Sequence, residues 1–118
     1  MRSQLDLNQV LSLALFILAA CGGEKPEPLA LTLVAQDIRF DVNTLTVKAG
    51  QPVVLTYTNE GVIDHSLQID GVLAEQKVRP GQTQRFEFEI QTPGTYKYLC
   101  ALPGHEQAGM LGTLTVEP

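Results

Sequence analysis

Gly94-Thr95-Tyr96-Lys97-Tyr98-Leu99-Cys100 is followed, after a ten-residue loop, by Leu111-Gly112-Thr113-Leu114-Thr115-Val116. Both stretches are rich in β-branched and aromatic residues, and Pro93-Gly94 marks a turn in front of the first. Side chains alternate across a strand, so Tyr96, Tyr98 and Cys100 share one face while Lys97 takes the other. Cys100 is therefore expected to point inward at the end of its strand.

The same alternation recurs upstream. Phe86, Phe88 and Ile90 fall on one face, and Arg85, Glu87 and Glu89 on the other, the pattern of a half-buried strand. Further strands are expected over Leu31–Val34, Thr44–Lys48, Val53–Thr58, Ser66–Asp70, Thr83–Ile90, Gly94–Cys100 and Leu111–Val116. Turn residues separate them at Ala49-Gly50-Gln51-Pro52, Asn59-Glu60-Gly61, Asp70-Gly71, Arg79-Pro80-Gly81 and Thr92-Pro93-Gly94. About seven short strands without helical periodicity predict an all-β fold, an antiparallel sandwich or barrel. Residues Gly71 to Lys77 leave a turn of helix open.

The 118 residues suffice for one domain. Eight Lys and Arg against 13 Asp and Glu leave a net charge of -5, which argues against a nucleic-acid partner. Residues 10–20 form an apolar run too short to span a bilayer and read as the core of a signal peptide over residues 1–20. Leu18-Ala19-Ala20-Cys21 resembles the lipobox of bacterial lipoproteins, which implies cleavage before Cys21, acylation of Cys21 and a membrane anchor at the new N-terminus. Residues 21–28, with Gly22-Gly23 and two prolines, are then a flexible tether, and the folded domain covers residues 29–118. An exported, lipid-anchored protein at the periplasmic or cell surface is the expectation. No oligomer signal is visible, so a monomer is expected.

With Cys21 assigned to the lipid, Cys100 lacks a disulfide partner in an oxidising compartment, and metal ligation is one explanation. With the predicted signal and the lipid-assigned Cys21 set aside, the chain holds only His65, Cys100, His105 and Met110 as soft or borderline metal donors. Three of them lie on one loop with the spacing Cys-x4-His-x4-Met, and His65 opens an apolar-alternating strand elsewhere. Thiolate, two imidazoles and a thioether are the donor set of a blue-copper electron-transfer centre. A cysteine hydrolase with Asn59 or Asp64 as orienting group lacks a helix to activate the thiol. Structural zinc requires four closed Cys or His ligands, and Met110 is a poor substitute. A copper carrier that delivers Cu(I) to a copper enzyme is the alternative reading.

The chain resembles the cupredoxins of the plastocyanin, pseudoazurin and auracyanin group over Leu29 to Pro118. The likeness is strongest in Pro93-Gly94-Thr95-Tyr96-Lys97-Tyr98-Leu99-Cys100 and Gly109-Met110-Leu111-Gly112-Thr113-Leu114-Thr115-Val116. It implies a Greek-key β-sandwich, one copper ion held by His65, Cys100, His105 and Met110, and single-electron transfer, without enzymatic turnover, between redox proteins such as a cytochrome or a membrane oxidoreductase. It also implies that the edge of His105 is an electron port within an apolar patch, here Leu102, Pro103 and Ala108, with Asp64 and Ser66 flanking His65 beside the site. The four residues between Cys100 and His105 match auracyanin and azurin better than plastocyanin. Leu99 stands where plastocyanin carries a docking Tyr, and Ser66 where the group often has Asn. Pro103 removes a backbone N–H from the loop.

Overall fold

A computed structural model describes residues 26–118; the predicted signal peptide and Cys21 lie outside the described residues, as does most of the tether. Among the described residues nine strands run in chain order: β1 Leu29–Gln36, β2 Arg39–Phe40, β3 Thr44–Lys48, β4 Val53–Asn59, β5 His65–Ile69, β6 Leu73–Val78, β7 Thr83–Phe88, β8 Gly94–Leu99 and β9 Leu111–Glu117. They form two mixed sheets, ordered β2-β1-β4-β7 and β3-β9-β8-β5-β6. The fold is all-β, and among the described residues no helix is long and apolar enough to cross a membrane.

One core joins the sheets. Leu33 and Ala35 of β1 and Leu55 and Tyr57 of β4 pack in the same cluster as Leu67, Ile69, Tyr98, Leu114 and Val116 of the other sheet. This is how a sheet with one apolar face buries it, by facing a second such sheet. Phe40 bridges the layers, its ring centroid 6.3 Å from that of Tyr57 and 5.3 Å from that of Tyr98. The alternation expected for residues 85–90 holds: Arg85, Glu87 and Glu89 are exposed, while Phe86 and Phe88 are half-buried and Ile90 is buried.

The sheets are mixed rather than antiparallel, because β1 pairs with β4 and β3 with β9 in parallel, and two elements also differ from the sequence expectation. Residues Leu73–Val78 form an edge strand paired with β5 through His65↔Val78 and Ser66↔Lys77, which closes the question of a helical turn there. Its polar residues belong to a strand with neighbours on one side only, so the apolar alternation is weak. The two-residue β2 is too short to carry any periodicity, yet it pairs with the end of β1 through Ala35↔Phe40.

The register of the second sheet positions the site. Antiparallel pairing of β8 with β5 (Gln68↔Leu99) and with β9 (Leu99↔Leu111) brings the first residue of β5, the residue after β8 and the residue before β9 to one end of the sheet. These are His65, Cys100 and Met110. Gly112 faces Tyr98 across β8 and β9, and a Cβ at that position would fall on the Tyr98 ring, so glycine is needed there for space.

The Tyr98 hydroxyl donates to the Val42 carbonyl at 2.7 Å. Burial, and secondarily the Asp41 carboxylate, push its pKa from 10.0 up to about 12. The folded pKa lies above the unfolded one, so this contribution to stability is complete below pH 10 and is lost as pH rises toward 12. Tyr98→Phe is expected to cost about 1 kcal/mol at neutral pH through the lost hydrogen bond. It should also flatten the alkaline decline in stability, as read by urea unfolding at pH 7 and pH 11. A Tyr98→Phe protein that declines as steeply as the parent would contradict this assignment.

Candidate metal centre

His65, Cys100 and His105 each offer one ligand atom, and these atoms lie within 4.8 Å of one another. The two Nδ1 atoms are 3.3 Å apart, and Cys100 Sγ is 3.2 Å from His105 Nδ1. Imidazole–metal bonds measure about 2 Å, so donors around one small ion stand at separations of this size. Met110, the residue before β9, is fully buried beside them. Its backbone N–H donates to the His105 carbonyl at 3.0 Å, and its own carbonyl accepts from Cys100 N–H at 3.1 Å.

The loop between Cys100 and Met110 curls tightly on itself. His105 N–H donates to Leu102 O at 3.1 Å, Ala108 N–H to Gly104 O at 3.1 Å, and Gly109 N–H to Glu106 O at 2.9 Å. Gly104 and Gly109 take φ of 81° and 102°, a region that a side chain disfavours. On the outside, Lys97 Nζ pairs with Glu106 Oε1 at 2.9 Å, which joins the loop to β8. His105 is thereby set half-buried, while His65, Cys100 and Met110 are wholly enclosed.

Ser66 ties the two ligand-bearing segments together. Its backbone N–H donates to Cys100 Sγ at 3.2 Å, its hydroxyl lies 3.7 Å from the same sulfur, and that hydroxyl accepts from Ala101 N–H at 2.9 Å. Below it, the Tyr57 hydroxyl donates to the Ser66 carbonyl at 3.1 Å. Burial, and then the nearby Cys100 charge, raise the Tyr57 pKa, so this phenol stays a donor. The sulfur is thus met by Ser66 of β5 and by His105 Nδ1 of the loop that carries Pro103.

Asn59 braces the turn that leads into β5. Its amide donates to Ile63 O at 2.8 Å and Val78 O at 2.9 Å, and its oxygen accepts from Gly61 N–H at 2.8 Å. Behind His65 stands Asp37, whose Oδ1 lies 3.3 Å from His65 Nε2 and accepts from Val62 N–H at 3.0 Å. Burial lowers the His65 pKa, against the opposing pull of Asp37, so the ring favours its neutral, ligating form.

Of the residues singled out from sequence, the structure gathers His65, Cys100, His105 and Met110 at one end of the second sheet, with Ser66 against the sulfur. Leu102 is half-buried, and Pro103 and Ala108 are exposed on the loop around His105. Asp64 is exposed and makes no hydrogen bond to a ligand; the carboxylate that meets a histidine is Asp37 instead. Nothing in the sequence singles out Asp37, and Asn59 stands out there only as a turn residue and as the orienting group of a hydrolase. Each stands at a turn, where Asp and Asn are ordinary, and only the tertiary fold brings Asp37 across from the β1–β2 turn.

Three soft or borderline donors converge, two of them buried and His105 half-buried, and the buried thioether residue Met110 is joined to Cys100 and His105 through its backbone. Among first-row ions this donor chemistry fits one copper ion, because thiolate and thioether favour Cu(I) and imidazole suits both oxidation states.

A family model described as a cupredoxin-like domain matches residues 9–116. Auracyanin-B of Chloroflexus aurantiacus is 53% identical over 38 residues, which are 32% of this chain and 16% of that protein. The copper-resistant cuproprotein CopI of Rubrivivax gelatinosus is 26% identical over 105 residues, covering 71% of this chain and 63% of that one. The chain therefore spans less than two thirds of either relative. The solved structure of auracyanin A, a "blue" copper protein from the green thermophilic bacterium Chloroflexus aurantiacus, superposes with a TM-score of 0.68 at 23% identity. It covers 77% of this chain and the whole of that one. On the match across nearly the full sequence and the shared fold, the chain belongs to the cupredoxin-like family.

Proposed function

We propose that the chain is a mononuclear blue-copper protein that passes single electrons between redox proteins, with His65, Cys100, His105 and Met110 as the ligands. The observation that carries this reading is the convergence of His65 Nδ1, His105 Nδ1 and Cys100 Sγ, with His65 and Cys100 fully buried. A copper ion held there supplies a one-electron couple between Cu(I) and Cu(II). The protein contributes rigidity: Ser66 holds the sulfur, Asn59 holds the turn into β5, and the curled loop holds His105. Ligands that cannot move reorganise little between oxidation states, which favours fast transfer. His105 alone of the enclosing side chains reaches the surface, among Leu102, Pro103 and Ala108, and so serves as the electron port. A small apolar contact zone suits a transient encounter with a donor or acceptor protein.

On this reading the chain is a carrier rather than an enzyme. We further propose that residues 1–20 direct export, that Cys21 is acylated and that residues 21–28 tether the domain over residues 29–118 to the outer side of a bacterial membrane. The similarity to the copper-resistant cuproprotein CopI is compatible with a second reading, delivery of Cu(I) to a copper enzyme. Full burial of His65, Cys100 and Met110 stands against it, because release then requires the site to open.

Cu(II) loading of the purified domain is expected to produce an intense blue thiolate-to-copper band and a reversible one-electron couple. Cys100→Ala should abolish the colour, and Met110→Leu should retain copper at a raised potential. A colourless protein that only takes up and releases Cu(I) would sink the relay and favour the carrier.

Ser66→Ala strips Ala101 N–H of its acceptor and the sulfur of a hydroxyl neighbour. It is expected to cost about 1–3 kcal/mol of stability and to lower the potential, because fewer hydrogen bonds to the thiolate favour the oxidised form. Chemical denaturation and voltammetry of the same preparation check both effects; an unchanged potential would remove Ser66 from the tuning of the sulfur.

A further inference from the structure

We propose that Asp37 is a positioning residue for His65: it holds the proton on Nε2, aims Nδ1 at the metal and lends the site a negative charge that favours the oxidised ion. The inference rests on the copper reading above. Its geometry is a line of three groups: Asp37 Oδ1 lies 3.3 Å from His65 Nε2, and the Nδ1 atom on the far side of the same ring faces His105 Nδ1 and the Cys100 sulfur. A neutral imidazole has one N–H and one acceptor nitrogen, so a partner that accepts from Nε2 leaves Nδ1 free to ligate. A carboxylate in that place also raises the basicity of the ring, as in other carboxylate–histidine–metal arrangements.

Three further features show that the carboxylate is held. Its Oδ1 accepts from Val62 N–H at 3.0 Å, which joins the β1–β2 turn to the turn before β5. The next residue, Ile38, has φ of 58°, an uncommon conformation for a β-branched side chain, here accepted at the turn that presents Asp37. A Cβ at Gly61 would fall on Asp37 Oδ1 and lie 2.9 Å from His65 Nε2, so the absence of a side chain at Gly61 leaves the two groups room to meet. The Asp37 side chain is 45% exposed while that of His65 is fully enclosed, so the carboxylate faces solvent on one side and the buried ring on the other. Asp64, the acid beside His65 in sequence, has no hydrogen bond to the ring.

Two substitutions separate charge from hydrogen bonding. Asp37→Asn keeps an oxygen that can accept from both Val62 N–H and His65 Nε2 but removes the charge. Asp37→Ala removes both. In the copper-loaded protein, D37N is expected to weaken Cu(II) binding about tenfold relative to Cu(I), the lower end of the effect of such outer partners, which converts to a potential raised by about 59 mV. In the metal-free, 15N-labelled protein, two-bond proton–nitrogen correlation should show His65 as the Nε2–H tautomer in the parent and in D37N, and as a mixture in D37A. An unmoved potential in D37N, or an unchanged His65 tautomer in D37A, overturns the proposal. Failure to take up copper would instead defeat the blue-copper reading, and the metal-free measurement would still decide what Asp37 does to His65.

Discussion

The backbone N–H of Ser66 meets the Cys100 sulfur at 3.2 Å while the Ser66 hydroxyl takes the N–H of Ala101 at 2.9 Å, and this double tie joins the start of β5 to the end of β8. The remaining geometry depends on it. His65 is the residue before Ser66 and Cys100 the residue before Ala101, so fixing one pair of neighbours fixes the two buried ligands relative to each other. Antiparallel pairing of β8 with β9 then sets Met110 beside them, and the loop that closes the gap has His105 as its midpoint. Four donors from separate points of the chain meet because three adjacent strands end together.

Enclosure gives that tie its chemical weight. A thiolate and two neutral imidazoles are strong ligands only where water does not compete, and buried polar groups are costly unless partnered. Every buried side-chain nitrogen and oxygen among the described residues has a hydrogen-bond partner, so the interior around the site is polar but satisfied. Asn59 and Tyr57 serve this end: each is fully enclosed, Tyr57 bonds to the strand that carries His65, and Asn59 bonds to the turn before it and to Val78 of the neighbouring β6. A network completed in this way resists motion, because moving any member leaves another unpaired. His105 is half-buried on a loop clamped by Lys97 and Glu106, and on the proposed reading it is the route by which an electron enters or leaves.

Much of this was legible in the chain itself. The strict alternation through Tyr96, Tyr98 and Cys100 placed the thiol inward at a strand end, and the Cys-x4-His-x4-Met loop carries three of the few candidate donors, two of which meet His65 in the structure. Periodicity was silent where an element was too short or lay at a sheet edge, as for Arg39–Phe40 and Leu73–Val78. The supporting residues were least visible. Ser66 is expected beside the site and departs there from the common Asn, but nothing in the sequence shows that its hydroxyl accepts the Ala101 N–H. Asp37 is separated from His65 by 28 residues, and nothing local distinguishes it from any turn aspartate. Its partnership exists only through the packing of the β1–β2 turn against the turn before β5.

The central claim is that the scaffold, rather than the metal, sets the positions of the ligands. Copper K-edge X-ray absorption on the loaded protein in both oxidation states tests it most directly. A scaffold of the kind described predicts the same set of two nitrogen and one short sulfur neighbours in Cu(I) and Cu(II), with only small changes in distance. Loss of a histidine ligand on reduction, or a change in the number of close neighbours, would contradict it.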